Sequence, residues 1–296
     1  MMENGFSKIH PVPSFLYFIG SIVASMIFNH PIYLYTLFII SILLNWSLDG
    51  GKVLNKGIKG YLFIAVVITV LNPLFSRRGA TILFYIMDQP VTLESIVYGV
   101  QLAISLLTIL FLFTAYHLVI TPDKFLYIFG SVLPKTAFIM TIILRFIPLL
   151  KRRLVEIISL QKIHGSFQQK DKKRIKMKQG METLHTLVTW SLEEALETAS
   201  SMRARGYGVG KRSSAIHYKM GKKDALIMGV LFVVGLFVLI SGLLGIGRYE
   251  VYPQIQKVEL TTFMIFHFLC FFICSLIPLF LIAKERIEWF IIKFKM

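Results

Sequence analysis

The sequence predicts an all-α, polytopic membrane protein with about six transmembrane helices and a helical region held on the cytoplasmic side. Three observations carry that reading. The first is composition: 55% of the 296 residues are hydrophobic and only 16% are charged, with a mean hydropathy of +0.69, whereas soluble domains carry about a quarter charged residues. The second is the recurrence of apolar runs close to the ~20 residues that cross a bilayer, in a chain whose 25 Phe and 12 Tyr suit lipid and its interface. The third is the placement of charge. Residues 151–223 hold 17 basic and 6 acidic groups, a net charge of +11, against 9 and 5 in residues 1–150 and 6 and 5 in residues 224–296. Cations beside membrane segments stay on the cytoplasmic side, so this block sets the orientation.

The first expected span is 14–28, SFLYFIGSIVASMIF. The preceding MMENGFSKIHPVPS has no small-residue cleavage site and reads as leading into a retained helix. Asn29-His30-Pro31 turns the chain into a second span, 32–48, because proline cannot continue the helix ladder. A polar stretch with Asp49, Lys52, Lys56 and Lys59 precedes the third, 61–75. SRRGATILFYIMDQPVTLE then reads as a loop, and the fourth span, 95–119, is long and almost free of charge. Residues 121–150 are apolar, but Lys135 and Arg145 leave only nine uncharged residues between them, and each charge at mid-membrane would cost a few kcal/mol. With Pro134 and Pro148 breaking the pattern, short amphipathic helices at the cytoplasmic interface are expected there.

Two further spans, 225–246 and 262–283, complete the six. An even count puts both termini on the side of the basic block. The tail KERIEWFIIKFKM alternates cations with large apolar residues and is expected to lie along the inner surface. The predicted organisation is a four-span membrane domain (1–120), cytoplasmic and interfacial helices (121–223), and a C-terminal membrane hairpin with an amphipathic tail (224–296).

Within the basic block, KRRLVEIISLQKIHG (151–165) keeps helical apolar spacing and stops at Gly165. FQQKDKKRIKMKQG reads as a charged loop. From Glu182 to Arg205 the pattern is an amphipathic helix: Leu184, Val188, Leu192, Ala195, Ala199 and Met202 share one face, and Glu193, Glu194 and Glu197 another. Glycine after the last periodic residue is an ordinary helix stop, and cations in the last turn complement the helix dipole. Those rules account for Gly206 and one arginine unaided. Arg205, however, falls at the border of the acidic face, where a planar guanidinium could pair bidentately with a partner's carboxylate.

The order of these segments resembles the transmembrane components, or T subunits, of energy-coupling factor (ECF) transporters, the vitamin- and metal-importing ABC systems. NPLFSRRGATILFYI followed by PVTLESIVYGVQLAISL resembles that family's connection between third and fourth spans. RFIPLLKRRLVEIISLQKIHG resembles its first coupling segment and SLEEALETASSMRARGYG its second. The similarity extends over nearly all of the first 225 residues. In that family two helices each end in Ala-Arg-Gly and dock on two cytoplasmic ATPase subunits. The resemblance therefore implies that Ala204-Arg205-Gly206 is the second coupling motif, intact here. The first falls at Ile163-His164-Gly165, with Ile in place of Ala and the shorter, partly charged His in place of Arg. The Arg205 end is accordingly expected to carry the dominant contact. The resemblance also implies a scaffold in the cell membrane, with two ABC ATPase subunits and a separate substrate-binding membrane S component as partners.

Other chemistries find little support in the residues. No Gly-rich phosphate loop ends in G-K-[ST], so ATP is expected on the partner subunits and no cofactor on this chain. Seven histidines occur without metal-ligand spacing, and Cys270 and Cys274 read as buried thiols in an apolar run. Glu193-Glu194 resembles the start of an intramembrane protease signature, but Thr198 stands where its arginine belongs. The ordered helices and acidic face of the basic block argue against a polybasic patch for nucleic acid or anionic lipid. The rival reading is an integral membrane enzyme with an active site at the cytoplasmic interface, which would need convergent acids, bases or metal ligands.

Overall fold

A computed structural model describes residues 6, 9–76, 79–86, 89–163, 173–210, 218–247, 249, 251 and 261–295. Among these residues the chain forms nine helices and one two-stranded hairpin: α1 (Pro11–Ile27), α2 (Pro31–Asp49), α3 (Lys52–Phe75), β1 (Ile82–Ile86), β2 (Gln89–Thr92), α4 (Leu93–Val119), α5 (Pro122–Gly130), α6 (Pro134–Ile163), α7 (Lys173–Ala204), α8 (Lys222–Leu243) and α9 (Thr262–Lys295). They divide into two compact units, one made of Met1–Phe125 with Tyr218–Met296 and the other of Leu126–His217.

The larger unit holds the apolar helices. α2, α3, α4, α8 and α9 are each long and apolar enough to cross a membrane. α1 is apolar but has 17 residues, about 26 Å of helix. In lipid, every backbone polar group must find a partner within the protein, which is why these segments are helices. α1 and α2 begin in the same way. His10 and His30 accept from the backbone N–H groups of Val12 and Ile32 at 3.3 and 3.4 Å. Each is followed by a proline at the first helical position, where the missing N–H had no partner to lose.

α4 is the central packing element, against α1, α2 and α3, while α8 lies on α1 and α9 on α2 and α8. α3 approaches α4 closely at Gly99, where a Cβ would meet the Thr69 carbonyl oxygen at 3.1 Å and Asn72 Cβ at 3.2 Å. The outer side of α3 exposes Leu62, Phe63, Val66 and Val70, and none of its residues is buried, as suits a helix bathed in lipid.

A few buried polar contacts tie the helices together across the apolar core. The Asn45 amide donates to the carbonyl of Phe111 at 2.9 Å, joining α2 to α4. The Tyr17 hydroxyl donates to the Ser275 carbonyl at 3.1 Å, joining α1 to α9. Tyr33 of α2 meets His267 Nδ1 of α9 at 2.8 Å, both fully buried among Phe28 and Phe271. His267 Nε2 lies 3.4 Å from the Val238 carbonyl, which can only accept. The Tyr33 hydroxyl also donates to the Met264 carbonyl at 3.3 Å, so the pair ties α2 to α9 at two points.

Several sequence expectations are corrected. Pro148 does not divide 121–150 into short helices up to that point: α6 runs unbroken through it from Pro134 to Ile163, and Pro73 and Pro278 likewise lie inside α3 and α9. Proline removes one ladder bond and crowds the preceding turn, but a long helix continues through that local defect. The presumed loop after α3 contains an antiparallel hairpin pairing Ile82 with Thr92 and Tyr85 with Pro90. The β-branched and aromatic run Ile-Leu-Phe-Tyr-Ile favours that extended form. The segment from Lys173 onward belongs to α7 rather than to a loop. The tail after 283 is helical, as an amphipathic segment should be, and is the last part of α9.

Two measurements test this packing. A double-mutant cycle of Tyr33→Phe and His267→Phe, read by thermal unfolding in detergent, is expected to give a coupling energy of about 1 kcal/mol; a value near zero would remove the pair as a tie between α2 and α9. Gly99→Leu should destabilise by about 1–3 kcal/mol through overpacking. Gly229→Ala, where a Cβ meets nothing within 4 Å, should be neutral or slightly stabilising.

Candidate functional site

The second unit is built on α6 and α7, which pack antiparallel. Three contacts set their register. The Thr183 hydroxyl donates to Gln161 Oε1 at 2.6 Å. The Arg153 guanidinium lies 5.2 Å from the centre of the Trp190 ring and pairs with Glu156 at 2.9 Å. Phe138 and Tyr207 stack with ring centres 5.0 Å apart and planes 20° from parallel. The end of α7 therefore lies beside the start of α6, and Ile163, the last residue of α6, lies toward the opposite end.

The end of α7 is a Schellman turn. Tyr207 N–H donates to the Met202 carbonyl and Gly206 N–H to the Arg203 carbonyl, both at 3.0 Å, which satisfies carbonyls that a helix end would otherwise leave open. Gly206 carries the left-handed conformation that closes this turn, with φ +80°. A Cβ there would meet no atom within 4 Å, so the position is specified by backbone conformation rather than by space. Ala204, Arg205 and Gly206 are all exposed. The Arg205 side chain forms no ion pair with any described residue, and its location past the last helical turn leaves the guanidinium free to meet a carboxylate from outside.

The sequence-derived apolar face of α7 divides in two. Ala195, Ala199 and Met202 line a groove of about 660 Å³ against Phe138, Ile142 and Phe146 of α6. Leu184, Val188 and Leu192 instead point outward, 52%, 55% and 62% exposed. The side of α7 turned to α6 carries Thr183, Leu187, Ser191 and Thr198, one residue back along the helix from the apolar stripe. Among the described residues, the Leu184, Val188 and Leu192 part of the stripe thus remains uncovered, an exposed apolar surface of the kind that marks an interaction face. Ile163 is 80% exposed. His164 and Gly165, the rest of the expected first motif, lie outside the described residues.

Sequence reasoning did not find Phe138 and Tyr207 as partners. The one available signal was the aromatic residue directly after Gly206, since the residue following the left-handed position of a Schellman turn commonly makes an apolar contact back onto the helix. Nothing local points to Phe138, which is far away in sequence and reaches Tyr207 only through the antiparallel packing.

The family described as CbiQ, cobalt transport protein, matches residues 5–217. The chain is also similar to the energy-coupling factor transporter transmembrane protein EcfT of Bacillus selenitireducens, with 27% identity over 201 residues covering 64% of this chain and 75% of that protein. The matched region takes in α1 to α7, including the α6–α7 pair and the Arg205 turn, and ends before α8. The long apolar helices and this match together make the chain a multi-pass membrane protein with a transport role, and it belongs to the CbiQ family as an EcfT/CbiQ-type transmembrane component.

Proposed function

We propose that this chain is the membrane scaffold of an ECF-type importer, coupling ATP hydrolysis by two cytoplasmic ABC ATPase subunits to uptake of a vitamin or transition-metal ion. The substrate itself is held by a separate substrate-binding membrane subunit. The observation that carries this reading is the Arg205 turn, an exposed guanidinium fixed beyond the end of α7 by the Gly206 Schellman geometry. Such a group suits a bidentate, charge-assisted contact with a carboxylate on another chain.

The antiparallel packing adds a second support. The contacts Gln161–Thr183 and Phe138–Tyr207 lie 24 residues apart along the chain of α7 and its end, about 36 Å of helix, so the Ile163 and Arg205 ends are far enough apart to address two different ATPase subunits. The uncovered stripe of Leu184, Val188 and Leu192 gives the substrate-binding subunit an apolar face to hold. Residues 121–223 serve as the coupling region, between a four-span membrane domain (1–120) and a C-terminal membrane hairpin (224–296). Movement of the ATPases on binding and hydrolysing ATP drives the coupling helices as levers. The basic block places these helices in the cytoplasm, with both termini on the same side of the cell membrane.

Arg205→Ala is expected to weaken retention of the ATPase subunits about ten-fold or more in co-purification, the scale of one charged hydrogen-bonded contact, and His164→Ala is expected to weaken it less. ATPase retention unaffected by Arg205→Ala but abolished by His164→Ala would overturn the assignment. Gly206→Ala should cost the turn about 1 kcal/mol of left-handed strain and lower retention with Arg205 intact, while Gly206→Asn should be milder. Titrating purified ATPase subunits against each variant measures the order.

A further inference from the structure

We propose that the stacked pair Tyr207–Phe138 is a rigid joint that makes the Arg205 tip and the first turns of α6 move as one body. This inference rests on the coupling role proposed above for Arg205, and it adds two positioning residues that touch neither nucleotide nor substrate.

The argument follows the chain outward from the turn. Arg205 is followed directly by Gly206, whose left-handed conformation reverses the backbone. The next residue, Tyr207, is held by its own N–H on the Met202 carbonyl at 3.0 Å. With its backbone fixed at that point, the Tyr207 side chain has few directions open to it. It turns back over the end of α7, where it and Met202 line the same groove, and lies flat on Phe138. Arg205 is thus two residues from an aromatic contact that reaches across to the other helix.

The rest of the groove explains why this contact matters. Between the Arg153–Trp190 contact and the Phe138–Tyr207 stack, α6 and α7 enclose a groove of about 660 Å³ rather than a continuous packed seam. Small side chains, Ser191, Ala195 and Ala199, face it from α7. The stack lies at one end of this stretch, where Phe138 and Tyr207 both line the groove. A push on Arg205 would otherwise flex α7 alone. Through the stack it reaches Phe138, in the second turn of α6. Along the chain, α6 begins at Pro134 and α4 ends at Val119, with only α5 between them. The first turns of α6 are therefore joined to a membrane helix through α5 alone.

The test uses the full chain co-purified with its ATPase subunits, in a background with Cys270→Ala and Cys274→Ala, carrying an environment-sensitive fluorophore on Lys135→Cys. The readout is the change in emission when ATP and vanadate are added. The change is expected in the parent and in Tyr207→Phe, which keeps the stack. In Tyr207→Ala it should fall about five-fold, the scale of one lost aromatic pair, with the ATPase subunits still retained. In an unlabelled pair, Phe138→Cys with Tyr207→Cys joined by a short bis-maleimide, ATP hydrolysis by the complex should persist, because the joint is not required to open.

A full emission change in Tyr207→Ala, no change in the parent, or loss of hydrolysis on cross-linking would each overturn the joint. So would loss of the ATPase subunits from Tyr207→Ala, since Tyr207 would then act in binding rather than in transmission. Retention of the ATPase subunits by Arg205→Ala is a separate outcome, and it would defeat the coupling role itself.

Discussion

The constraint on which this structure depends is that a block of net charge +11 cannot be placed in hydrocarbon. It has to stay in water while the segments before and after it lie in lipid. Those segments must satisfy their backbone groups internally, so they are helices, and they have little hydrophobic incentive to choose one neighbour over another. Specificity then falls to close approaches and to a few polar ties. Gly99 lets α3 sit against α4. Asn45, Tyr17 and the Tyr33–His267 pair join helices that are distant in the chain. The last two fasten α9, which follows the region matched to the family, onto α1 and α2.

In the smaller unit the balance is reversed. Ile157 is the one α6 residue that is buried among those described, and most apolar side chains of α6 and α7 are at least partly exposed. Among the described residues, a hydroxyl–amide bond, a cation–π contact and an aromatic stack join the pair, which has little buried core of its own. Such a unit gains order from what it binds. On the function proposed above, its exposed apolar stripe and its exposed arginine are the two surfaces offered to other subunits.

The sequence made the membrane helices legible because twenty-residue apolar runs have few alternatives. Each expected span falls largely within an observed helix, and the ends differ mainly where polar residues extend a helix, as Lys52 to Gly60 does for α3. The Arg205 turn was legible too, since Gly206 after an amphipathic run is a local signal. What was not legible is non-local or contextual. Pro148 reads as a break in any single-helix argument, yet α6 continues through it. The hairpin of β1 and β2 depends on pairing that no single strand announces. The periodicity of α7 identified an apolar stripe but not which side of the helix α6 would take, because the two candidate faces differ by a single residue of rotation. The stack of Phe138 on Tyr207 required the packing of the two helices to be known first.

The antiparallel arrangement of α6 and α7 also bears on symmetry. A single copy of this chain offers one helix end at Ile163, followed in sequence by His164-Gly165, and another at Ala204, followed by Arg205-Gly206. Any pair of nucleotide-binding subunits that grips both ends meets two unlike handles, and no two-fold axis can relate them. Even two identical subunits would occupy inequivalent places, one on a guanidinium and one on an imidazole. On the function proposed above, such an assembly would be polar by construction, and a division of labour between two motor subunits would already be written into the scaffold that joins them.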